Sequence, residues 1–355
     1  MMHRISVSFL LLLFSSIVRA DSVREALEKI RIDHDVPAIA LRVVRGDAVI
    51  LNEAVGHTSA NSDDEVKLDD AWHLGSDTKA MTATLAARLV ERGLISWDTK
   101  LIDAIPEIRE RIAPEFRNVT LDALLTQRSG IDPARETPVW LNGMRVSNEP
   151  RDLHQQRIDA IIALMRESPK QPTTQPVFAY ANGNYVAAGA MLESVTGKSW
   201  ESLMQDEIFD PLKMNSAGFG PPKRISGHTT SNGKLAAANF DNPETLGPAA
   251  TVHCSLEDWG KFLSVHLGKI DGFLKPETLS RLHAPPPGST YAMGWIVIDL
   301  GERGVLLSHD GSNTLWYARV ILIPKQGIVI LVALNSNDVE ACEAATQLAV
   351  KALQE

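Results

Sequence analysis

Apolar residues change their spacing several times along this 355-residue chain, and the changes mark out its elements. In residues 22–33, Val23, Leu27 and Ile30 share one side of a helix. Residues 38–44 and 48–54 are apolar, β-rich runs separated by Arg45-Gly46-Asp47, which reads as a hairpin. A polar stretch, 61–70, reads as a surface loop. Helical spacing returns after Ser76, where Met81, Leu85 and Leu89 recur until Gly93. Residues 94–247 read as helix and loop. Thr120 caps a short helix that stops at Ser129-Gly130, 133–150 reads as irregular, and 153–167 as helical. A Pro/Thr loop at 170–176 precedes helices at 184–195, closed by Gly197, and at 200–208. Residues 211–242 are a long excursion rich in Gly, Pro, Ser and Asn, the kind of segment that often carries function. A helix at 256–267 and a stiff linker at 285–287 follow. The period then shortens. Residues 292–300, 305–308, 316–324 and 328–335 read as strands joined by Gly-containing turns, and 339–353 as a closing helix.

Two strands near the start and several near the end bracket a helical middle. The expected fold is therefore α+β: one antiparallel sheet built from both chain ends, flanked by the terminal helices, with a mainly helical subdomain inserted. The sheet part would take about 21–70 and 285–355 and the helical part about 71–284, together one catalytic domain over 21–355. The Ser76 helix would lie at the seam, a common place for a pocket.

The first 20 residues stand apart. Met1-Met2-His3-Arg4, the short apolar run 5–18 and Val18-Arg19-Ala20 have the form of a cleavable signal peptide, with Asp21 as the mature N-terminus. The run is short for a membrane span and no cysteine follows the site, so no stable membrane anchor is expected and the protein is expected to be secreted or periplasmic. Losing Arg4 and Arg19 moves the formal charge from −9 to −11. An acidic chain without a basic stretch is a poor partner for nucleic acid or an anionic membrane. Cys254 and Cys342 are read in helical, part-apolar contexts, where they would form either one disulfide or two separate buried thiols.

Three stretches carry chemistry. Ser76 and Lys79 lie three apart where the helix begins, so they stack on one face. The unpaired N–H groups of that first turn favour a developing alkoxide, and a desolvated lysine beside it can accept a proton. Tyr180 and Asn182 flank an alanine just before a helix. A tyrosine near a lysine can have a lowered pKa and act as general base, and an asparagine can orient a substrate amide. Ser308-His309-Asp310-Gly311-Ser312 ends a strand, where Gly311 lets a substrate approach the backbone. The Ser312 N–H could then join that of Ser76 as an oxyanion donor.

Ser-x-x-Lys, then Tyr-x-Asn, then His-x-Gly on a late strand resembles the serine β-lactamase and penicillin-binding-protein superfamily. The class C branch, with its related D-alanyl-D-alanine peptidases and family VIII esterases, is the part it looks most like. Gly93-Leu94-Ile95-Ser96-Trp97-Asp98 looks like the segment after the nucleophile helix, Leu124-Leu125-Thr126-Gln127-Arg128-Ser129-Gly130-Ile131 resembles "LLTHTSGL", and Pro211-Leu212-Lys213-Met214 resembles "PLGM". The resemblance implies a β-lactamase/transpeptidase-like fold in which Ser76 is acylated and Lys79 activates it. It makes Tyr180 a base for acylation or for water activation, and Asn182 a substrate-orienting group. His309 stands where β-lactamases usually carry lysine, and the N–H groups of Ser76 and Ser312 would form the oxyanion hole. Whether Lys79 or Tyr180 takes the first proton stays open, because the two would titrate together.

The departures bear on substrate. Glu136 precedes Leu141-Asn142 by too many residues for the class A E-x-x-L-N pattern. A Lys-Thr-Gly that helps bind a substrate carboxylate has become His309-Asp310-Gly311. Histidine is largely neutral at pH 7, and Asp310 would repel an acid if it faced the pocket. The repulsion vanishes if Asp310 points away or pairs with Arg128 or Arg319. Other signals are weak. Gly197-Lys198-Ser199 lacks the earlier glycine of a P-loop, and no serine lies in G-x-S-x-G. With no H-E-x-x-H and no His/Cys cluster, no metal or cofactor is expected, and His253, His266 and His283 read as structural or surface residues. Trp316 and Tyr317, close behind the third motif, are candidates to line the pocket. The expected function is a secreted serine hydrolase acting on small ester, amide, peptide or β-lactam substrates. The alternatives are a D-alanyl-D-alanine peptidase or true β-lactamase, or a non-catalytic sensor of β-lactam or peptidoglycan on the same fold.

Overall fold

The computed structural model describes residues 20–146, 152–169, 177–231 and 234–354. The leader, apart from Ala20, and the 170–176 loop lie outside the described residues. The strands are β1 (Ala38–Arg45), β2 (Ala48–Gly56), β3 (Trp72–His73), β4 (Gly218–Phe219), β5 (Gly227–Ser231), β6 (Lys234–Ala238), β7 (Val252–Cys254), β8 (Ile296–Asp299), β9 (Val305–Ser312), β10 (Tyr317–Ile323) and β11 (Ile328–Leu334). Six of them form one antiparallel sheet in the order β2-β1-β11-β10-β9-β8. The chain ends meet at β1 and β11, with Ile39 opposite Leu334 and Leu41 opposite Val332. The expected α+β architecture is thus the observed one.

β11 is buried along its whole length, which is why its sequence is continuously apolar rather than alternating. Its Ile330 and Val332 join Leu27 and Leu41 in an outer core with Ala341, Cys342 and Ala345 of the closing helix, Val339–Ala352. Its Leu331 and Ala333 face the main core, which contains the helix Thr78–Glu91. Eleven of that helix's residues are buried, and its alanines let neighbouring elements approach from every side.

The structure differs from the sequence reading in several places. Residues 133–150 are not irregular throughout, because Glu136–Val146 is a helix. Pro138 lies in its first turn, where no hydrogen bond is lost, so the proline does not break it. The helix Pro276–Leu282 likewise begins on a proline. The excursion 211–242 contains β4 and the two-stranded pair β5–β6. The strand expected at 292–300 is confined to β8, since Gly294 has a left-handed φ of +88° and packs against the Ala80 backbone. β9 runs past the expected 305–308 to Ser312, so the third motif forms the end of that strand, as read from the sequence. Cys254 ends a strand, not a helix, and both cysteines are buried free thiols.

Candidate active site

Ser76 lies in the 3-10 turn Gly75–Asp77 that leads into the helix Thr78–Glu91. Two glycines let this turn touch β9. Gly75 has φ +52°, and a Cβ there would collide with the Ser312 backbone nitrogen. A Cβ at Gly311 would collide with the Leu74 carbonyl oxygen. The turn bearing Ser76 and the strand end bearing Ser312 are therefore in direct backbone contact.

One helical turn on, Lys79 is fully buried. Its Nζ lies 3.0 Å from Ser76 Oγ, 2.7 Å from Asn182 Oδ1 and 3.0 Å from the Ala249 carbonyl. Burial pulls the Lys79 pKa down to about 7, against the opposing pull of the Glu136 and Asp77 carboxyls. A neutral amine has two N–H groups and one lone pair, which suits these partners. The ammonium form donates to all three; the neutral amine donates to Asn182 and Ala249 and turns its lone pair to the Ser76 hydroxyl.

Tyr180 also reaches Ser76. Burial raises its phenol well above the ordinary tyrosine range and Tyr291 adds to the rise, while its hydrogen bond to Ser76 works in the opposite sense. The lowered tyrosine pKa expected from the lysine's proximity is not found. The Lys79 Nζ sits over the Tyr180 ring at 4.8 Å, but desolvation outweighs the attraction. Tyr180 is a protonated donor at neutral pH.

Two residues hold this arrangement and were not singled out for it in the sequence. Gln127 clamps Tyr180 from both sides: its backbone carbonyl accepts from Ala179 N–H at 2.9 Å, and its Oε1 accepts from Ala181 N–H at 3.0 Å. It stands at a left-handed φ of +61°. Glu136, read only as failing the class A pattern, accepts from the N–H groups of Asn182 (3.1 Å) and Gly183 (2.5 Å). Those are the first residues of the helix Asn182–Thr196, so the carboxylate sits where unpaired N–H groups and the helix dipole favour it. The Gln127 signal was its place within a motif-like stretch. Nothing local marks Glu136, which lies 46 residues from Asn182.

His309 is buried, with Nδ1–H donating to the Asp310 carbonyl at 2.9 Å. Burial takes its pKa down to about 4, and Lys79 adds to the effect. The ring is neutral, as expected, and its Nε2 carries a lone pair. It lies 6.1 Å from the rings of both Tyr180 and Tyr291. Asp310 points the other way. It accepts from Arg319 Nε (2.7 Å) and Nη2 (3.0 Å) and from the Tyr317 hydroxyl (2.8 Å), toward the closing helix, where Arg319 also meets Glu343. The Arg319 pairing weighed in the sequence is the observed one, so Asp310 does not repel a substrate acid. Tyr317 shares that outer face and does not line the pocket, and Trp316 is wholly buried, stacked on His73. His266 and His283 are structural, bonded to each other at 2.9 Å behind the Ser76 helix. Asp77, beside Ser76, is fully buried, and neither of its carboxyl oxygens has a hydrogen-bond partner among the described residues. Burial raises its pKa well above the usual range, and the charge of Asp310 adds to the rise, while Lys79 and Arg319 oppose it. Among the described residues no group of three or more His, Cys, Asp or Glu side chains could hold a metal ion.

A serine–lysine–tyrosine–asparagine cluster around a buried lysine, between a sheet made of both chain ends and a helical insert, can be compared with known proteins. The beta-lactamase family profile matches residues 22–353. The chain belongs to the beta-lactamase family. It is 26% identical over 343 residues to penicillin-binding protein 4 of Amycolatopsis lactamdurans, covering 88% of this chain and 84% of that one. It is 24% identical over 333 residues to protein flp of Staphylococcus aureus (strain N315), of which it spans 64%. The class C beta lactamase of Rhodobacter sphaeroides superposes with a TM-score of 0.75 at 22% identity, over 94% of this chain and 99% of that one. The D-alanine carboxypeptidase AmpC of Burkholderia cenocepacia superposes with a TM-score of 0.74 at 18% identity, over 94% and 99%. At such identities the superpositions show a shared fold, and the beta-lactamase family itself is one of serine hydrolases.

Proposed function

We propose that this beta-lactamase-family chain is a serine hydrolase that cleaves ester or amide bonds through an acyl-enzyme on Ser76. The observation that carries the reading is the buried Lys79, its pKa brought down to about 7 within hydrogen-bond reach of Ser76 Oγ. Neutral Lys79 takes the Ser76 proton as Oγ bonds to the substrate carbonyl carbon. The backbone N–H groups of Ser76 and Ser312 hold the oxyanion. Collapse of the tetrahedral species breaks the bond to the leaving group, which receives the Lys79 proton through the Tyr180 hydroxyl. Water then attacks the acyl carbon by the reverse route, frees the acid and restores Ser76. Asn182 anchors Lys79 and orients substrate.

At the third motif, neutral His309 offers a substrate carboxylate no cation. This favours substrates that need no acid for recognition, small esters and amides first. A second reading has its own support. With Asp310 paired to Arg319, nothing at that position repels an acid, and a β-lactam or a peptide ending in D-alanine remains a candidate. The intact Ser76, Lys79, Tyr180 and Asn182 disfavour a non-catalytic sensor. The leader-like residues 1–20 support export and a mature protein starting at Asp21, which N-terminal sequencing of the secreted form would test.

The test is paired kinetics with a short-chain p-nitrophenyl ester and a chromogenic cephalosporin, alongside intact-mass detection of an adduct on Ser76. Ester turnover with little cephalosporin cleavage supports the esterase-like reading. Efficient cephalosporin hydrolysis supports the second. Ser76→Ala should abolish both, and a Ser76→Ala protein that retained turnover would refute the mechanism.

A further inference from the structure

The excursion 211–242 brings one carboxylate beneath the site. Asp241 accepts from three donors: His73 Nε2–H at 2.9 Å, Asn313 Nδ2–H at 2.8 Å and the Asn242 N–H at 2.7 Å. The His73 side chain is wholly buried, and its other ring nitrogen, Nδ1, accepts from the Gly75 N–H at 3.1 Å. That contact fixes the tautomer, with the proton on Nε2 facing Asp241. On the other side, Asn313 Oδ1 accepts from the N–H groups of Leu315 (3.1 Å) and Trp316 (3.3 Å), which shapes the turn after β9. The His73 ring stacks on Trp316 at 5.4 Å and closes the circuit. One carboxylate therefore ties the residue before Ser76 to the residue after Ser312.

The turn it ties down has a backbone that needs holding. Gly75 and Thr314 both have left-handed φ, +52° and +76°, and Thr314 is β-branched, for which that region is strained. An oxyanion hole works only when its donors are placed before the reaction begins. We infer that Asp241 is a positioning residue which, through His73 and Asn313, sets the spacing of the Ser76 and Ser312 N–H groups. This inference rests on the acyl-enzyme reading above. No proton leaves the network during the reaction. Its contribution is to hold two chain segments that lie more than 200 residues apart in sequence at one separation.

Asp241→Asn tests it. The backbone Asn242 N–H and Asn313 keep the amide oxygen, so the amide nitrogen faces His73 Nε2–H, two donors together. His73 can relieve this only by moving its proton to Nδ1, which then faces the Gly75 N–H. Acylation by a p-nitrophenyl ester in single turnover should slow by about 10- to 100-fold, with KM changed less than about threefold. Affinity for phenylboronic acid, whose tetrahedral adduct on Ser76 places an oxygen in the same hole, should fall by a similar factor. Asn313→Asp is the second variant and carries the test alone if Asp241→Asn does not fold. It keeps the acceptor for Leu315 and Trp316 and places two carboxyls together. They can share a proton at low pH, so the ratio of variant to wild-type activity should rise as pH falls. Folded variants with wild-type acylation and boronate affinity would overturn the inference, as would a change confined to KM. A wild-type protein that forms no Ser76 adduct would remove the acyl-enzyme reading and this inference together. Wild-type acylation with unaffected variants would remove this inference only.

Discussion

The charge state of Lys79 makes a sharp prediction about pH. Burial holds its pKa at about 7 although two carboxyls nearby act to raise it. The difference from the ordinary lysine value of 10.5 corresponds to about 5 kcal/mol of lost preference for the ammonium form. If neutral Lys79 accepts the Ser76 proton, kcat/KM follows the neutral fraction of the free enzyme. That fraction is about one half at pH 7, about 10% at pH 6 and about 1% at pH 5. The acid limb should therefore fall tenfold per pH unit below about 7, with a plateau above about 8. The assay is kcat/KM for a neutral p-nitrophenyl ester from pH 5 to 9 at constant ionic strength. Circular dichroism at each pH would verify that the protein stays folded. Lys79→Arg, whose guanidinium stays protonated, should lose activity at every pH by several orders of magnitude. A wild-type profile that stayed flat between pH 5 and 8 would refute Lys79 as the base. A limb rising only above pH 9 would do the same, and would point instead to the phenol of Tyr180.

Three further outcomes follow from the same geometry. Gly311→Ala should yield a folded but inactive protein or none at all, since the new Cβ meets the Leu74 carbonyl; ester kinetics with a thermal melt distinguish the two. Asp310→Asn should cost about 2–4 kcal/mol in denaturant unfolding by weakening the Arg319 pair, yet leave the ester-to-cephalosporin rate ratio unchanged; a shifted ratio would mean that Asp310 faces substrate after all. His309, held at about 4 when folded, contributes stability that is fully present above about pH 6.5 and is lost as pH falls through 4. Wild type should lose about 3 kcal/mol over that window from this group, and His309→Gln should flatten the slope of unfolding free energy against pH.

Much of this was legible from short-range pattern. Helical spacing from Met81 to Leu89 places Ser76 and Lys79 one turn apart, and that contact needs nothing beyond local helix geometry. The apolar runs at both ends announced a sheet made of both, because such runs must be buried against something. The direction of Asp310 stayed open in the sequence, between the pocket and a pairing with Arg128 or Arg319, for a traceable reason. Ending the strand at 308 hid the alternation that puts His309 and Asp310 on opposite faces. Glu136–Val146 lay inside a stretch, 133–150, read as irregular, although a proline in the first turn costs a helix nothing.

The sequence by itself determined which groups are present, their order, and the pairing of Ser76 with Lys79. Only the tertiary structure decided their charge. Lys79 near half-neutral, Tyr180 protonated and His309 neutral are all consequences of lost water, and that loss depends on segments far away in the chain. The tertiary structure likewise decided which residues hold the site in place. Glu136, Gln127 and Asp241 reach Asn182, Tyr180 and the Ser76 turn only after the helical insert has folded against the sheet. Desolvation and long-range hydrogen bonds are sums over neighbours in space, and neither leaves a periodic mark on the chain.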